Sequence, residues 1–416
     1  MKQYIIQGKS KLSGEISISG AKNSALKILA ATILTKGENI IENVPQINDI
    51  EKLLEIIEDL GAKASRSGSE IIISTNDINK KEIDDELGRS LRASIILAGP
   101  MLARFKEISI PHPGGCSIGK RPVDIFIDGF KSFGADFTEN ENNYIFKAEK
   151  LKGTTILFPK ITVTGTETMM MTATLAEGTT VLKNAAQEPE IPALANYLNS
   201  CGANIKGAGT STITIEGVSE LTAQKTKIMP DRIETGTFVV MGLLTKSEIK
   251  ITNCNPNDLE NFLLMIKRAG GKMEIGEDYI KTLPNEKFLP VDITTHEHPG
   301  FPTDLQAPFT LLMTQANGLS LVHEPIFDGR LFFTDKLNQM GANIIMCDPH
   351  RVIVNGPTQL YGKNVDSPDL RAGATLLLAG LIADGETTIG NVYQIERGYE
   401  NIVERLKKLG AKINEK

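Results

Sequence analysis

A glycine that closes an amphipathic helix recurs six times along the 416 residues, in Leu60-Gly61-Ala62, Phe133-Gly134-Ala135, Cys201-Gly202-Ala203, Ala269-Gly270-Gly271, Met340-Gly341-Ala342 and Leu409-Gly410-Ala411. Successive glycines lie 68 to 73 residues apart, so the chain is expected to repeat one folding unit six times. Each unit reads as a small-residue-rich apolar helix, a short strand, an amphipathic helix, the glycine, then strands. In the first unit Ile50, Leu53, Leu54, Ile57 and Leu60 fall at three- and four-residue steps, which places them on one helix face. Gly61 then supplies the left-handed stop.

The first helix of each unit has a different pattern. Segments such as Arg92-Ala-Ser-Ile-Ile-Leu-Ala-Gly, Met169-Met-Met-Thr-Ala-Thr-Leu-Ala and Arg371-Ala-Gly-Ala-Thr-Leu-Leu-Leu-Ala-Gly are apolar on nearly every side. Such a helix must be enclosed by other elements. Three units wrapped around three central helices, twice over, satisfy that demand. A chain of this length also exceeds what one core usually supports. The break between halves is expected near Lys225 to Asp231.

Composition narrows the function. A net charge of -6 argues against a broad footprint for nucleic acid or anionic lipid, so an anion site must be local. The apolar runs are too short to span a membrane, and the amino terminus alternates apolar and polar residues like a strand rather than a signal peptide. Cys116, Cys201, Cys254 and Cys347 lack paired spacing, which suits a reducing cytoplasm. His296 and His298 are an isolated pair without metal-ligand spacing, and no phosphate loop or dinucleotide fingerprint is present. Neither metal nor cofactor is expected.

The chemistry is expected where the buried helices open, at Lys22-Asn23, Arg92, Thr166-Glu167, Thr235-Gly236, Thr303-Asp304 and Arg371. Helix amino termini favour anions, and a cation there calls for an anion to explain it, whereas Thr and Asp are ordinary caps. The stretch Pro111-His-Pro-Gly-Gly-Cys116-Ser-Ile-Gly-Lys-Arg121-Pro-Val-Asp124 reads as a surface loop able to act as a lid. Lys120 and Arg121 beside Cys116 favour a reactive thiol, while Cys201, Cys254 and Cys347 read as inert core. Arg397, beside Gly398, carries no functional weight on spacing alone.

In Ser19-Gly-Ala-Lys22-Asn23-Ser-Ala-Leu, Leu91-Arg92-Ala-Ser, the Cys116 loop, Leu175-Ala-Glu-Gly-Thr-Thr180, Pro302-Thr-Asp304-Leu-Gln, Asp369-Leu-Arg371-Ala and Glu396-Arg397-Gly-Tyr-Glu400 the sequence resembles the enolpyruvyl transferases, in family order over nearly its full length. The resemblance implies an α/β fold, a two-lobed inside-out α/β barrel of six repeats. Residues 22–229 would form one lobe and 1–21 with 230–416 the other, with substrate between them. It implies transfer of the enolpyruvyl group of phosphoenolpyruvate to the 3'-hydroxyl of UDP-N-acetylglucosamine, with no nucleic acid or membrane partner. Cys116 would be the acid and could carry a covalent adduct, open to alkylation by fosfomycin, and Asp304 would take the hydroxyl proton. Lys22, Arg121 and Arg397 would hold the donor, Lys22 and Arg397 also counting as catalytic, and Asn23 would orient the intermediate. Arg92, Arg121, Pro122, Val123, Asp124, Ile125, Lys160, Ile161, Thr162, Val163, Thr164, Asp304 and Ile326 would contact the nucleotide sugar, with Arg371 a further substrate contact. Where many relatives read Val-Gly-Ala-Thr, this chain has Val163-Thr164-Gly165-Thr166, which puts Thr164 in question. A shikimate-phosphate transferase lacks the Gly-Gly-Cys loop, and a silent nucleotide-sugar sensor would not need every catalytic residue.

Overall fold

Each repeat glycine ends its helix in a backbone conformation that side chains resist. In the computed structural model, which describes residues 2–112 and 123–416 and Arg92 by its backbone alone, φ is +114° at Gly61, +92° at Gly134, +108° at Gly202, +81° at Gly270, +107° at Gly341 and +100° at Gly410. The six glycines are therefore one structural position, occupied six times.

The described residues divide into two units, one of residues 20–112 and 123–229, the other of 2–19 and 230–416. Each has its own apolar core. The first unit encloses the inner helices Lys22–Ala31, Ala98–Phe105 and Val163–Ala173, and the second Arg232–Leu244, Gln306–Met313 and Leu370–Ile382. Every residue of Arg232–Leu244 and of Gln306–Met313 is buried, as all-round apolarity requires. The three inner helices of the second unit pack on one another. Their threonines are tolerated because the hydroxyls donate back along the helix, Thr237 to Ile233 O, Thr310 to Gln306 O and Thr375 to Arg371 O. The amphipathic helix Asn48–Asp59 buries Ile50, Leu53, Leu54 and Ile57 and exposes Glu51, Glu55 and Glu58.

Sheet pairing shows how the repeats close. Within a repeat, the strand before the inner helix lies parallel to the strand after it, as Thr155–Leu157 does to Thr179–Lys183 and Asn364–Asp366 to Glu386–Gly390. At the first repeat of each unit that parallel strand comes from elsewhere in the chain. Lys225–Lys227 pairs with Glu38–Glu42, and Gly14–Ser17 with Ile249–Thr252. The sixth repeat lacks its last strand, and Tyr4–Gln7 fills the place, antiparallel to both Glu386–Gly390 and Lys412–Glu415. A second recurring device accompanies these parallel pairs. Asn43, Asn184, Asn253 and Asn391 sit at φ between +52° and +58°, and their side-chain amides donate to Ile228 O, Phe158 O, Ile18 O and Ser367 O at 2.7 to 2.9 Å. Asparagine tolerates that conformation, and its amide ties each strand end to its parallel neighbour.

Three expectations change. The inner helices open one turn earlier than Thr166-Glu167 and Thr235-Gly236, because Thr162 and Asp231 are the caps and those residues lie inside the helices. Cys347 is exposed on Ile344–Asp348, whereas Cys201 and Cys254 are buried and burial raises both thiols, Cys254 to about 11. Glu167, read as a helix opener, is fully buried opposite Lys27 at 3.1 Å, with Glu188 and Glu190 nearby; burial pushes its carboxyl to about 7 against the pull of Lys27.

Two measurements follow. Gly202→Ala meets open space and bears only the backbone cost, about 1–2 kcal/mol, while at Gly61 an added Cβ would also lie 2.8 Å from Asp77 O. Gly61→Ala should lower the thermal midpoint more than Gly202→Ala; equal midpoints would contradict the assignment. A carboxyl raised on folding contributes most below its unfolded value and loses that contribution as pH rises through about 7. The stability of Glu167→Gln relative to the parent should therefore increase between pH 5 and 8, and a difference independent of pH would rule this out.

Candidate active site

Inner helices with no exposed flank can present chemistry only at their ends. In the first unit Lys22 begins its helix without a side-chain cap, and its ammonium lies 2.6 Å from Asp49 Oδ2, both groups buried. Asp49 sits in the first turn of the following amphipathic helix. Asn23 is half-buried beside Lys22. The anion that explains this cation in the structure is thus a protein carboxylate, which the sequence reading missed.

Two of the segments expected to meet the nucleotide sugar, Ile125 and Lys160 to Thr164, come together in the same unit. Thr162 caps Val163–Ala173 by accepting from Gly165 N at 3.2 Å, with Ile161 to Thr164 half-buried and Lys160 exposed. A Cβ on Gly165 would stand 2.5 Å from Thr162 Cγ2 and 3.2 Å from Ile125 Cγ2. The displaced glycine therefore has a local reason: the cap and the helix Asp124–Ser132 both press on that position. Val123 precedes the latter helix without a side-chain cap, Asp124 is exposed and Ile125 lies against the Thr162 turn. Arg92 opens a short 3-10 turn, Arg92–Leu97. Cys116, Arg121 and Pro122 lie outside the described residues.

In the second unit the organising group is Asp304, on the turn Thr303–Leu305 that leads into Gln306–Met313. Arg330 binds its Oδ1, and Arg371 Nη2 lies 3.1 Å from its Oδ2. Both arginine side chains are 7% exposed, the carboxylate 25%. Burial alone would raise the carboxyl, but Arg330 and Arg371, reinforced by Arg232, hold it far below the usual carboxylate range. Asp304 in turn outweighs burial at Arg371 and keeps that guanidinium charged.

The surrounding contacts fix this group. Asp369 caps Leu370–Ile382 by accepting from Arg371 N and Ala372 N at 2.8 and 3.0 Å. Arg371 Nη1 reaches Tyr399 OH at 3.4 Å, and Tyr399 OH is 3.0 Å from Thr237 Oγ1 on the inner helix Arg232–Leu244. Fully buried Glu324 accepts from Thr303 Oγ1 at 2.6 Å and from Ile326 N at 3.0 Å, which joins the Asp304 turn to Ile326. Arg397 is half-buried after the short helix Tyr393–Glu396 and donates to Gln394 Oε1 at 3.1 Å. Gly398 lets the backbone close on Leu370, since a Cβ there would lie 2.7 Å from Leu370 Cδ1, so Arg397 and Arg371 belong to adjoining turns.

The structure thus groups Lys22 with Asn23, joins Ile125 to the Lys160–Thr164 turn, and gathers Asp304, Ile326, Arg371 and Arg397 in the second unit. Asp49, Arg330, Glu324 and Tyr399 were not foreseen. Among the described residues no cluster of His, Cys, Asp or Glu could hold a metal ion, and no helix is long and apolar enough to cross a membrane.

The chain is 45% identical over 409 residues to the UDP-N-acetylglucosamine 1-carboxyvinyltransferase of Bdellovibrio bacteriovorus, covering 98% of this chain and 99% of the relative. It is 44% identical over 413 residues to the same-named protein of Desulfosudis oleivorans, covering 99% of each. The enolpyruvyl transferase NikO of Streptomyces tendae superposes with a TM-score of 0.91 at 26% identity, covering 100% of this chain and 98% of the other. EPSP synthase of Acinetobacter baumannii, at 18% identity and TM-score 0.77 over 100% of each chain, shares the fold. Residues 6–406 match the family described as EPSP synthase (3-phosphoshikimate 1-carboxyvinyltransferase), and the chain belongs to that family of enolpyruvyl transferases.

Proposed function

We propose that the chain transfers the enolpyruvyl group of phosphoenolpyruvate to the 3'-hydroxyl of UDP-N-acetylglucosamine in the cytoplasm, releasing phosphate at the first committed step of peptidoglycan synthesis. The observation that carries this reading is the near-complete alignment with relatives named for that reaction.

The chemistry assigns roles to the residues. Protonation at C3 of the enol makes C2 electrophilic, the hydroxyl oxygen adds to C2, and loss of phosphate with the C3 proton restores the double bond. Cys116 supplies the acid in this scheme. Lys22, Arg121 and Arg397 hold the donor anion, where guanidinium groups can grip phosphate or carboxylate with two bonds. Asn23 orients the adduct. Asp304, ionised at all working pH values, receives the hydroxyl proton. Arg92, Arg121 to Ile125, Lys160 to Thr164 and Ile326 contact the nucleotide sugar, with the turn capped by Thr162 offering first-turn N–H groups to its diphosphate. Arg371 acts on substrate through Asp304 or by meeting the donor anion directly.

Phosphate release tests the reading: it should require phosphoenolpyruvate with UDP-N-acetylglucosamine and cease after fosfomycin. Release with shikimate 3-phosphate would move the chain to the other branch of the family, and silence with both acceptors would favour a sensor. Asp304→Asn should cut turnover about 100-fold or more while donor affinity is kept or rises, because the arginines remain and a competing charge is gone. Unchanged turnover would remove Asp304 from the chemistry. Arg397→Ala should weaken donor binding by about 2 kcal/mol or more, and normal affinity would leave it a structural residue.

A further inference from the structure

Asp304 faces a difficulty as a base in the state described. One oxygen is bound by Arg330 and the other by Arg371 at 3.1 Å, so each oxygen already accepts from a guanidinium before a substrate hydroxyl arrives. Arg232 adds a third positive charge from the neighbouring inner helix, while Asp231 and Tyr399 also favour the charge on Arg371. A base works best when its affinity for protons lies near the operating pH, and two guanidinium groups drive this one in the opposite direction. Something must draw the arginines away before Asp304 can act.

The reaction brings its own competitor. Phosphoenolpyruvate carries a phosphate and a carboxylate, and a phosphate offers guanidinium more charge and more oxygens than a single aspartate. Arg371 stays anchored when it turns, because Asp369 caps its backbone and Tyr399 touches its other Nη atom. We propose that Arg330 and Arg371 are a donor-sensing pair: the donor anion draws them off Asp304, and only then does the carboxylate regain the affinity to take the proton of the acceptor hydroxyl. As the hydroxyl O–H bond breaks and the new O–C2 bond forms, that proton passes to Asp304, while the C2–C3 electron pair takes a separate proton from the acid. When phosphate departs, C3 gives a proton back to the acid to restore the double bond, Asp304 returns its proton to solvent and the arginines return to the carboxylate. Arg330 is on this account a positioning residue, and the base stays capped until the donor is bound. The inference rests on the enolpyruvyl-transfer reading and adds a coupling between donor and base.

The test follows the carboxyl of Asp304 in the full chain labelled with 13C at aspartate Cγ, its signal identified by its loss in Asp304→Asn. The free protein should give a signal that does not titrate from about pH 4 upward, whereas saturating phosphoenolpyruvate should bring its midpoint to about pH 4 or above. Arg330→Met should raise the midpoint without donor, Arg330→Lys should restore the low value in part, and the acid limb of kcat/KM should move in step. A purely structural Arg330 would leave the pH profile in place. Should Arg330→Met fail to fold, the donor titration of the parent protein decides alone. Calorimetry on the same samples separates the two ideas. Donor that binds while the Asp304 signal stays unchanged overturns the sensing pair and leaves the function standing, and donor that fails to bind even with UDP-N-acetylglucosamine overturns both.

Discussion

Six helices without a solvent-facing side are the constraint from which the rest of this structure follows. Arg232–Leu244 and Gln306–Met313 are buried at every residue, so neither can display function along its length. The enclosing sheets must be completed from outside a repeat where a strand is missing, which is why Tyr4–Gln7 serves the sixth repeat and Lys225–Lys227 the first. Polar chemistry is pushed to the helix ends, where unpaired N–H groups and partial positive charge already favour anions.

Placing Lys22 and Arg371 at such ends adds charge of the same sign as the helix dipole. The structure offsets this with Asp49 and Asp304, in geometry that also keeps each cation in place. Removing one member of a buried charged pair costs about 3–5 kcal/mol, so these cations stay near the position where a donor anion would find them. On the proposed function an incoming donor anion would compete with a carboxylate already present, which would tie donor binding to the ionic state of that acid. Glu324 and Tyr399 support these pairs, one fixing the turn that carries Asp304 and the other contacting Arg371 at its second Nη atom.

Sequence conveyed the repeat plan because its markers are local. A glycine that must adopt positive φ can be found without knowing any contact, and all six do adopt it. The four bridging asparagines lie 17 to 19 residues before a repeat glycine and would have emerged from aligning the units on that glycine. Helix starts were misplaced at Thr166 and Thr235 because hydrophobic pattern begins only after the first, polar turn, whereas Thr162 and Asp231 do the capping. The partners of the site were hidden for another reason. Arg330 and Arg371 stand 26 and 67 residues from Asp304, contributed by loops and helices that only the repeat geometry brings together. No pattern of spacing reports such a pairing, and family motifs pointed to Asp304 and Arg371 without stating that one binds the other.

The central claim is that this chain breaks a carbon–oxygen bond in its donor by addition and elimination. Phosphoenolpyruvate labelled with 18O at the oxygen bridging carbon and phosphorus tests it most directly, with UDP-N-acetylglucosamine as acceptor and both products analysed by mass. Label that leaves wholly in phosphate is the result predicted here. Label retained in the organic product would mean that the phosphorus–oxygen bond is cut instead, and enolpyruvyl transfer would not be the reaction.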